Sequence, residues 1–157
     1  MLTKAQSFWL IILLGVTFSA PVHAQTTDIA VVVNEKNPIT NLRSSELRQI
    51  FAGEKHSWAG NVPIRLFIRD RGTPERNAVL KLLRMTESGY KEYWTAQVFR
   101  GENQAEPFVL PSNGMQKEAI VTYPGAVAFV SSQDIKAGMK VVAVDGHKPG
   151  EAGYSFH

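Results

Sequence analysis

The chain of 157 residues contains no cysteine. This absence excludes disulfide bonds, thiolate metal sites and cysteine nucleophiles, so the fold must be held by packing and hydrogen bonds. Long apolar runs are also scarce. The longest, residues 8–18, has about eleven residues, whereas a membrane-spanning helix needs roughly 20. The formal net charge of +3 is too small to indicate a nucleic-acid partner.

Histidine is rare as well, and its placement argues against catalysis. Beyond the first 24 residues the histidines are His56, His147 and His157, each isolated from any acid, nucleophile or metal-ligand spacing. The stretch at residues 72–75, Gly-Thr-Pro-Glu, lacks the lysine and second glycine of a phosphate-binding P-loop. We therefore predict a protein that is not an enzyme and that uses no cofactor or metal.

The N-terminal segment has the features of a secretory signal peptide. Lys4 supplies a short positive region, the apolar stretch follows, and Val22-His23-Ala24 provides small residues before a cleavage point. We expect cleavage after Ala24, export to the periplasm, and one domain formed by residues 25–157.

Strand-like and helix-like segments alternate along this domain. Apolar, β-branched runs predict strands, and apolar residues spaced three or four apart predict helices. The expected strands are 29–33, 64–68, 108–110, 126–130 and 141–144. The expected helices are one capped by Ser44 or Ser45 and ended by Gly53, one at 74–85, one at 86–99, and one capped by Asn113 with Gln116 and ended by Pro124. This alternation indicates an α/β sandwich with a mixed sheet, because the last two strands are joined without an obvious helix.

Aromatic residues form a stripe on the third predicted helix. Tyr90, Tyr93, Trp94 and Val98 fall at helical spacing, which is more typical of core than of a ligand-stacking surface. Trp58 is likewise expected to pack in the core or at its rim, although a place in a cleft is the alternative.

The octapeptide at residues 69–76 combines a strand end, a basic turn and a helix start. Thr73 suits the N-cap and Pro74 the first helical position. Residues 65–84 carry six basic side chains against two acidic ones. Because a helix N-terminus favours negative charge, this turn predicts an oxyanion site; a solvated helix start is the alternative. Asp70 would pair with an arginine or accept a hydrogen bond from a protonated phosphate.

Three segments resemble the periplasmic phosphate-binding proteins of ABC transporters, which are type 2 solute-binding proteins. They are IAVVVNEKNPITNLRSSELRQIFAGEKHSWAG (29–60), YPGAVAFV (123–130) and VVAVDGHKPGEAGYSF (141–156). The resemblance implies a three-layer α/β sandwich with a mixed, mainly parallel sheet, equivalent to one lobe of the two-lobed family. It also implies binding of inorganic phosphate or a similar oxyanion, and an ABC transporter permease or membrane sensor as partner.

The family's turn reads approximately Arg-x-Asp-Gly-Ser-Gly-Thr, which places anion ligands at Arg69, Gly72 and Thr73. Arg71 stands where the family has Asp and adds a guanidinium, so the expected anion ligands are Arg69, Arg71, Gly72 and Thr73. Pro74 removes a backbone donor, and Glu75 is expected to repel an anion at close range.

The missing lobe leaves two further possibilities open. Two copies could pair, each completing the other's site. Alternatively, the domain has lost small-molecule binding and acts as a periplasmic interaction or sensor-accessory module.

Overall fold

The computed structural model describes residues 27–157, so the predicted signal peptide at 1–24 lies outside the described residues. Within 27–157, no helix is both long and apolar enough to cross a membrane. The strands are β1 (Ile29–Asn34), β2 (Asn41–Leu42), β3 (Arg65–Arg69), β4 (Phe108–Leu110), β5 (Ala126–Ser131) and β6 (Met139–Val144). The helices are α1 (Ser44–Phe51), α2 (Pro74–Leu83), α3 (Glu87–Phe99) and α4 (Asn113–Thr122), with short 3₁₀ turns at Ala59–Asn61 and Ser132–Asp134.

One six-stranded sheet runs in the order β2-β6-β1-β5-β3-β4. Three of the five strand pairings are parallel, and β1 is antiparallel to both neighbours, β5 and β6. The prediction of a mixed, mainly parallel α/β sheet is confirmed. The link from β5 to β6 contains only a short 3₁₀ turn and passes β1, so β5 and β6 run parallel to each other on either side of the antiparallel β1.

Strand β1 shows why the domain has three layers. All six of its residues are buried. Val31 and Val33 belong to the core cluster shared with α1, α2 and α3, whereas Ala30 and Val32 belong to a second cluster that includes Ile120 of α4. Because successive side chains of a strand point to opposite faces, helices cover both sides of the sheet.

Two predicted helix caps are wrong. Helix α1 has Arg43 at its N-cap without a side-chain cap bond. Instead, Asp145, which follows β6, accepts hydrogen bonds from the amide of Ser44 (2.9 Å) and from its hydroxyl. These bonds lower the pKa of Asp145. Helix α4 is capped by Ser112 rather than Asn113. Gln116 is buried and donates to the carbonyl of Phe129 (2.8 Å).

The predicted aromatic stripe packs into the core. Tyr90 and Trp94 are buried, and the ring of Tyr93 meets that of Trp94 edge-on at 5.9 Å between centroids. Trp58 is also buried, and its Nε1 donates to the carbonyl of Gly125 (3.0 Å). These aromatic side chains therefore hold the helices and the loop before β3 against the sheet.

Candidate functional site

The candidate site lies where β3 ends and α2 begins. Arg69 is the last residue of β3, and Gly72 adopts a φ of +81°, a backbone conformation that favours glycine. The hydroxyl of Thr73 accepts a hydrogen bond from the amide of Arg76 (3.2 Å) and donates to the carbonyl of Asp70 (2.9 Å). The predicted N-cap at Thr73 and the helix start at Pro74 are confirmed. The chain thus turns sharply after Arg69.

A cavity of about 500 Å³ opens beside this turn. Its volume lies within the range of small-molecule sites. Four basic side chains and two acidic ones line it, which gives the lining a formal excess of positive charge. The lining residues are Ile68, Arg69, Asp70, Arg71, Arg76, Tyr90, Lys91, Glu106, Pro107 and Val109.

Arg69 has the most unusual environment in the cavity. The residue is only 9 % exposed, and its Nε and Nη1 have no hydrogen-bond partner among residues 27–157. A buried charged group without partners is costly, because it has lost its bonds to water. An oxyanion in the cavity would supply the missing negative charge, and it would reach Nε or Nη1 only after a small movement of the wall, because both atoms are shielded from solvent.

Arg76 is held in a fixed position at the cavity. Its Nε and Nη2 donate to the two carboxylate oxygens of Glu87, at 2.9 and 2.7 Å, and its guanidinium carbon lies 4.0 Å from the ring centroid of Tyr90. Burial opposes the charged form of Arg76, yet the bonds to Glu87 raise its pKa. Arg76 is therefore rigidly held and its charge is largely balanced by Glu87. Arg71, in contrast, is mostly exposed, and its Nε lies 3.7 Å from a carboxylate oxygen of Glu87.

The Arg76–Glu87 pair predicts a pH-dependent contribution to stability. Hydrogen bonds from Arg76 lower the pKa of Glu87 below its ordinary value of 4.5. The ionised Glu87 therefore contributes fully to the stability of the fold above pH 4.5, and this contribution is lost as the pH falls through the lowered pKa of Glu87. We expect Glu87→Gln to reduce the loss of stability between pH 6 and pH 3, by less than about 1 kcal/mol because the carboxylate is partly exposed.

Urea unfolding at the two pH values measures this effect. The matched control is Glu92→Gln on the same helix, whose carboxylate accepts a hydrogen bond from Ser88 instead of an arginine. Equal pH dependence in the wild type and Glu87→Gln would contradict the prediction.

The structure brings only part of the predicted ligand set to the cavity. Arg69 and Arg71 line it, but Gly72 and Thr73 are not among the lining residues. The hydroxyl of Thr73 is engaged in the helix cap. In the part of the chain that the structure describes, Asp70 forms no ion pair within 4.0 Å, so its predicted arginine partner is not observed. Anion binding by the four predicted residues stays a prediction.

The structure shows what Glu75 contacts, and the expected repulsion of an anion at the turn stays a prediction. Glu75 is buried, and its Oε1 accepts hydrogen bonds from the amide (3.2 Å) and the hydroxyl (2.5 Å) of Ser131, at the end of β5. The carboxylate thus fixes the first turn of α2 to the sheet. It is not among the groups that line the cavity.

Sequence reasoning missed most of the remaining cavity wall. Arg76 was visible only as one member of the basic cluster, and Tyr90 only as a core residue. Lys91, Glu106 and Val109 carried no signal, because they meet the turn only through the positions of α3 and β4. Predicting these residues would have required knowing that β4 pairs with β3 and how α3 packs beside them.

The fold defines the class of protein: an α/β domain that matches in fold the lobes of solved phosphate-binding proteins. The sequence profile described as a PBP superfamily domain matches residues 19–155, and the chain belongs to that family.

Solved structures show the same fold. An ABC-type phosphate transport receptor from Vibrio cholerae aligns with a TM-score of 0.63 and 22 % identity, over 78 % of this chain and 48 % of that one. A putative phosphate ABC transporter substrate-binding protein from Clostridium perfringens, with bound phosphate, aligns with a TM-score of 0.61 and 18 % identity. The alignment covers 76 % of this chain and 46 % of that one. PstS from Borrelia burgdorferi aligns with a TM-score of 0.57 and 18 % identity, over 78 % of this chain and 49 % of that one. The chain therefore spans about half the length of these proteins.

Proposed function

We propose that this protein binds phosphate or a related oxyanion at the turn after β3, without catalysing a reaction. The observation that carries the proposal is Arg69, a buried guanidinium with two unpaired nitrogens at the wall of a cationic cavity. Arg71 adds a mostly exposed guanidinium, and Gly72 and Thr73 lead into the N-terminus of α2, which favours negative charge.

The family and the aligned phosphate-binding proteins give this proposal its biological setting. The C. perfringens protein was solved with phosphate, and the V. cholerae protein is a phosphate transport receptor. By analogy, the chain would act in the periplasm, after removal of residues 1–24, in phosphate transport or sensing. An ABC transporter permease or a membrane sensor would receive the signal or the ligand.

Calorimetric titration with phosphate, and separately with sulfate, tests the proposal at low and moderate salt. We expect saturable phosphate binding, and at least a tenfold loss of affinity in Arg69→Ala, because charge-assisted hydrogen bonds contribute about 1.5–3 kcal/mol each. The matched control is Arg100→Ala, which removes an exposed arginine paired with Glu102 outside the cavity. Circular dichroism establishes that both variants are folded.

Two results would contradict the proposal. One is the absence of both heat and thermal stabilisation at millimolar phosphate, since a ligand that binds only the folded state must stabilise it. The other is equal affinity in the wild type and Arg69→Ala. Either would favour the second candidate, an interaction module. That candidate is motivated by the lost donor at Pro74 and by the engaged hydroxyl of Thr73, both of which reduce the donors at the turn.

A further inference from the structure

A second, apolar groove of about 490 Å³ lies between β4, β3 and α4. Several large side chains around it face solvent: Phe108 is 59 % exposed, Met115 49 % and Tyr123 38 %. Within residues 27–157, these three are among the seven exposed large hydrophobic residues, and all three line this one groove. A concentration of apolar surface of this kind marks an interaction site, whereas single exposed apolar residues do not.

The groove borders an open edge of the sheet. Strand β4 pairs with β3 on one side, and no strand of the described residues pairs with its other side. Phe67 contacts both Phe108 and Tyr123, with ring centroids 5.8 and 5.7 Å apart. An edge strand with exposed apolar side chains is a template on which another strand can pair.

Two opposite charges flank the apolar centre of the groove. Arg65 lies over the ring of Tyr123, with 4.5 Å between its guanidinium carbon and the ring centroid, and Glu118 lines the same groove. In the described part of the chain, neither residue forms an ion pair within 4.0 Å. A patch with one cation and one anion around an apolar centre is complementary to its own copy across a two-fold axis.

We infer that the β4 edge and this groove form the interface of a homodimer. The β4 strands of two copies lie side by side and antiparallel, and Glu118 of each copy faces Arg65 of the other. The aromatic side chains of both copies fill the space between them. Like charges would meet if the groove carried a single sign, so the mixed pair favours a second copy over a strongly charged partner.

This arrangement also places the second copy next to the anion cavity. Val109, on the same strand, lines that cavity and is 53 % exposed. A strand of the second copy beside β4 would therefore add a wall to the anion cavity. This chain is about half as long as its structural relatives. The proposed dimer interface does not depend on anion binding, so the absence of phosphate binding would not contradict it.

Sedimentation equilibrium of the wild type and two matched variants tests the inference. We expect a wild-type dimer at micromolar concentration and a monomer for Phe108→Glu, with the dissociation constant raised at least tenfold. The control is Phe99→Glu, which changes a 91 % exposed phenylalanine at the end of α3 and should remain dimeric.

A charge swap keeps the test informative if Phe108→Glu fails to fold. Glu118→Arg alone should weaken the dimer, and adding Arg65→Glu should restore it, because the opposite charges then face each other again. A monomeric wild type at 200 µM would overturn the inference, and so would an unchanged dimer in folded Phe108→Glu. A groove that instead binds a peptide of another protein, while the chain itself stays monomeric, would overturn it as well.

Discussion

Replacing Gly125 with alanine is expected to destabilise the protein by about 3 kcal/mol, near the upper end of the cost of overpacking a well-filled site. A Cβ added at Gly125 would lie 1.8 Å from the carbonyl oxygen of Pro63 and 3.0 Å from its carbonyl carbon. Both are backbone atoms, so no side-chain rotation relieves the clash. The loop before β3 or the start of β5 would have to move.

That movement would break other contacts as well. The carbonyl of Gly125 accepts hydrogen bonds from Trp58 Nε1 (3.0 Å) and from the amide of Arg65 (2.9 Å). One residue thus fixes a core tryptophan and the start of β3. It lies in the Tyr-Pro-Gly-Ala segment that carried part of the family resemblance, and the close approach to Pro63 explains physically why a glycine is needed there.

Thermal unfolding followed by circular dichroism measures this effect, and a fall in Tm of roughly 10 °C is expected for a domain of this size. The matched control is Gly114→Ala near the start of α4. A Cβ at that position meets only the Ser112 hydroxyl oxygen at 3.8 Å, so alanine should be neutral or stabilising in the helix. A Gly125→Ala variant as stable as the wild type would show that the loop and β5 do not pack as described.

Replacing Glu75 with alanine is expected to destabilise the protein by about 2 kcal/mol. The change leaves the buried amide and hydroxyl of Ser131 without their acceptor, and an unsatisfied buried donor costs about 1–3 kcal/mol. It also removes a negative charge from the first turn of α2, where the helix dipole stabilises it. The cost is limited because burying the carboxylate was itself unfavourable.

Glu75→Gln is the control for this prediction. Its amide oxygen can still accept from Ser131, so we expect a smaller loss than in Glu75→Ala, measured by urea unfolding at pH 7. Phosphate titration of the same two variants separates this structural role from repulsion of the ligand. If Glu75 repelled an anion in the cavity, both variants would bind phosphate more tightly than the wild type, and our assignment of Glu75 would be wrong.

The periodicity of the sequence was a good guide wherever burial follows local pattern. The continuous apolar run at 29–33 predicted a strand buried on both faces, and β1 has both faces covered by helices. Thr73 and Pro74 predicted the start of α2 to the residue. Such features depend on the preferences of neighbouring residues for a helix or strand, and these preferences act within a few positions of the chain.

The same reasoning failed where a distant residue competes for a polar group. Ser44 or Ser45 was expected to cap α1 with its side chain, but the amide of Ser44 donates to Asp145, 101 positions away. The expectation for Glu75 concerned only repulsion of an anion, and its hydrogen bond from Ser131, 56 positions away, was not predicted. Local rules cannot predict these partners, because the donor or acceptor that a polar group meets depends on which distant segments the fold places next to it.

The sequence by itself determined the order of most strands and helices, the family resemblance and the basic turn at Arg69. Only the tertiary structure decided the rest of the cavity, because Tyr90, Lys91 and Glu106 approach Arg69 through the packing of α3 and the pairing of β4 with β3. It also decided that Arg69 is buried and that its Nε and Nη1 have no partner among residues 27–157. Desolvation and hydrogen bonding depend on all surrounding elements together, so no single segment of sequence specifies them.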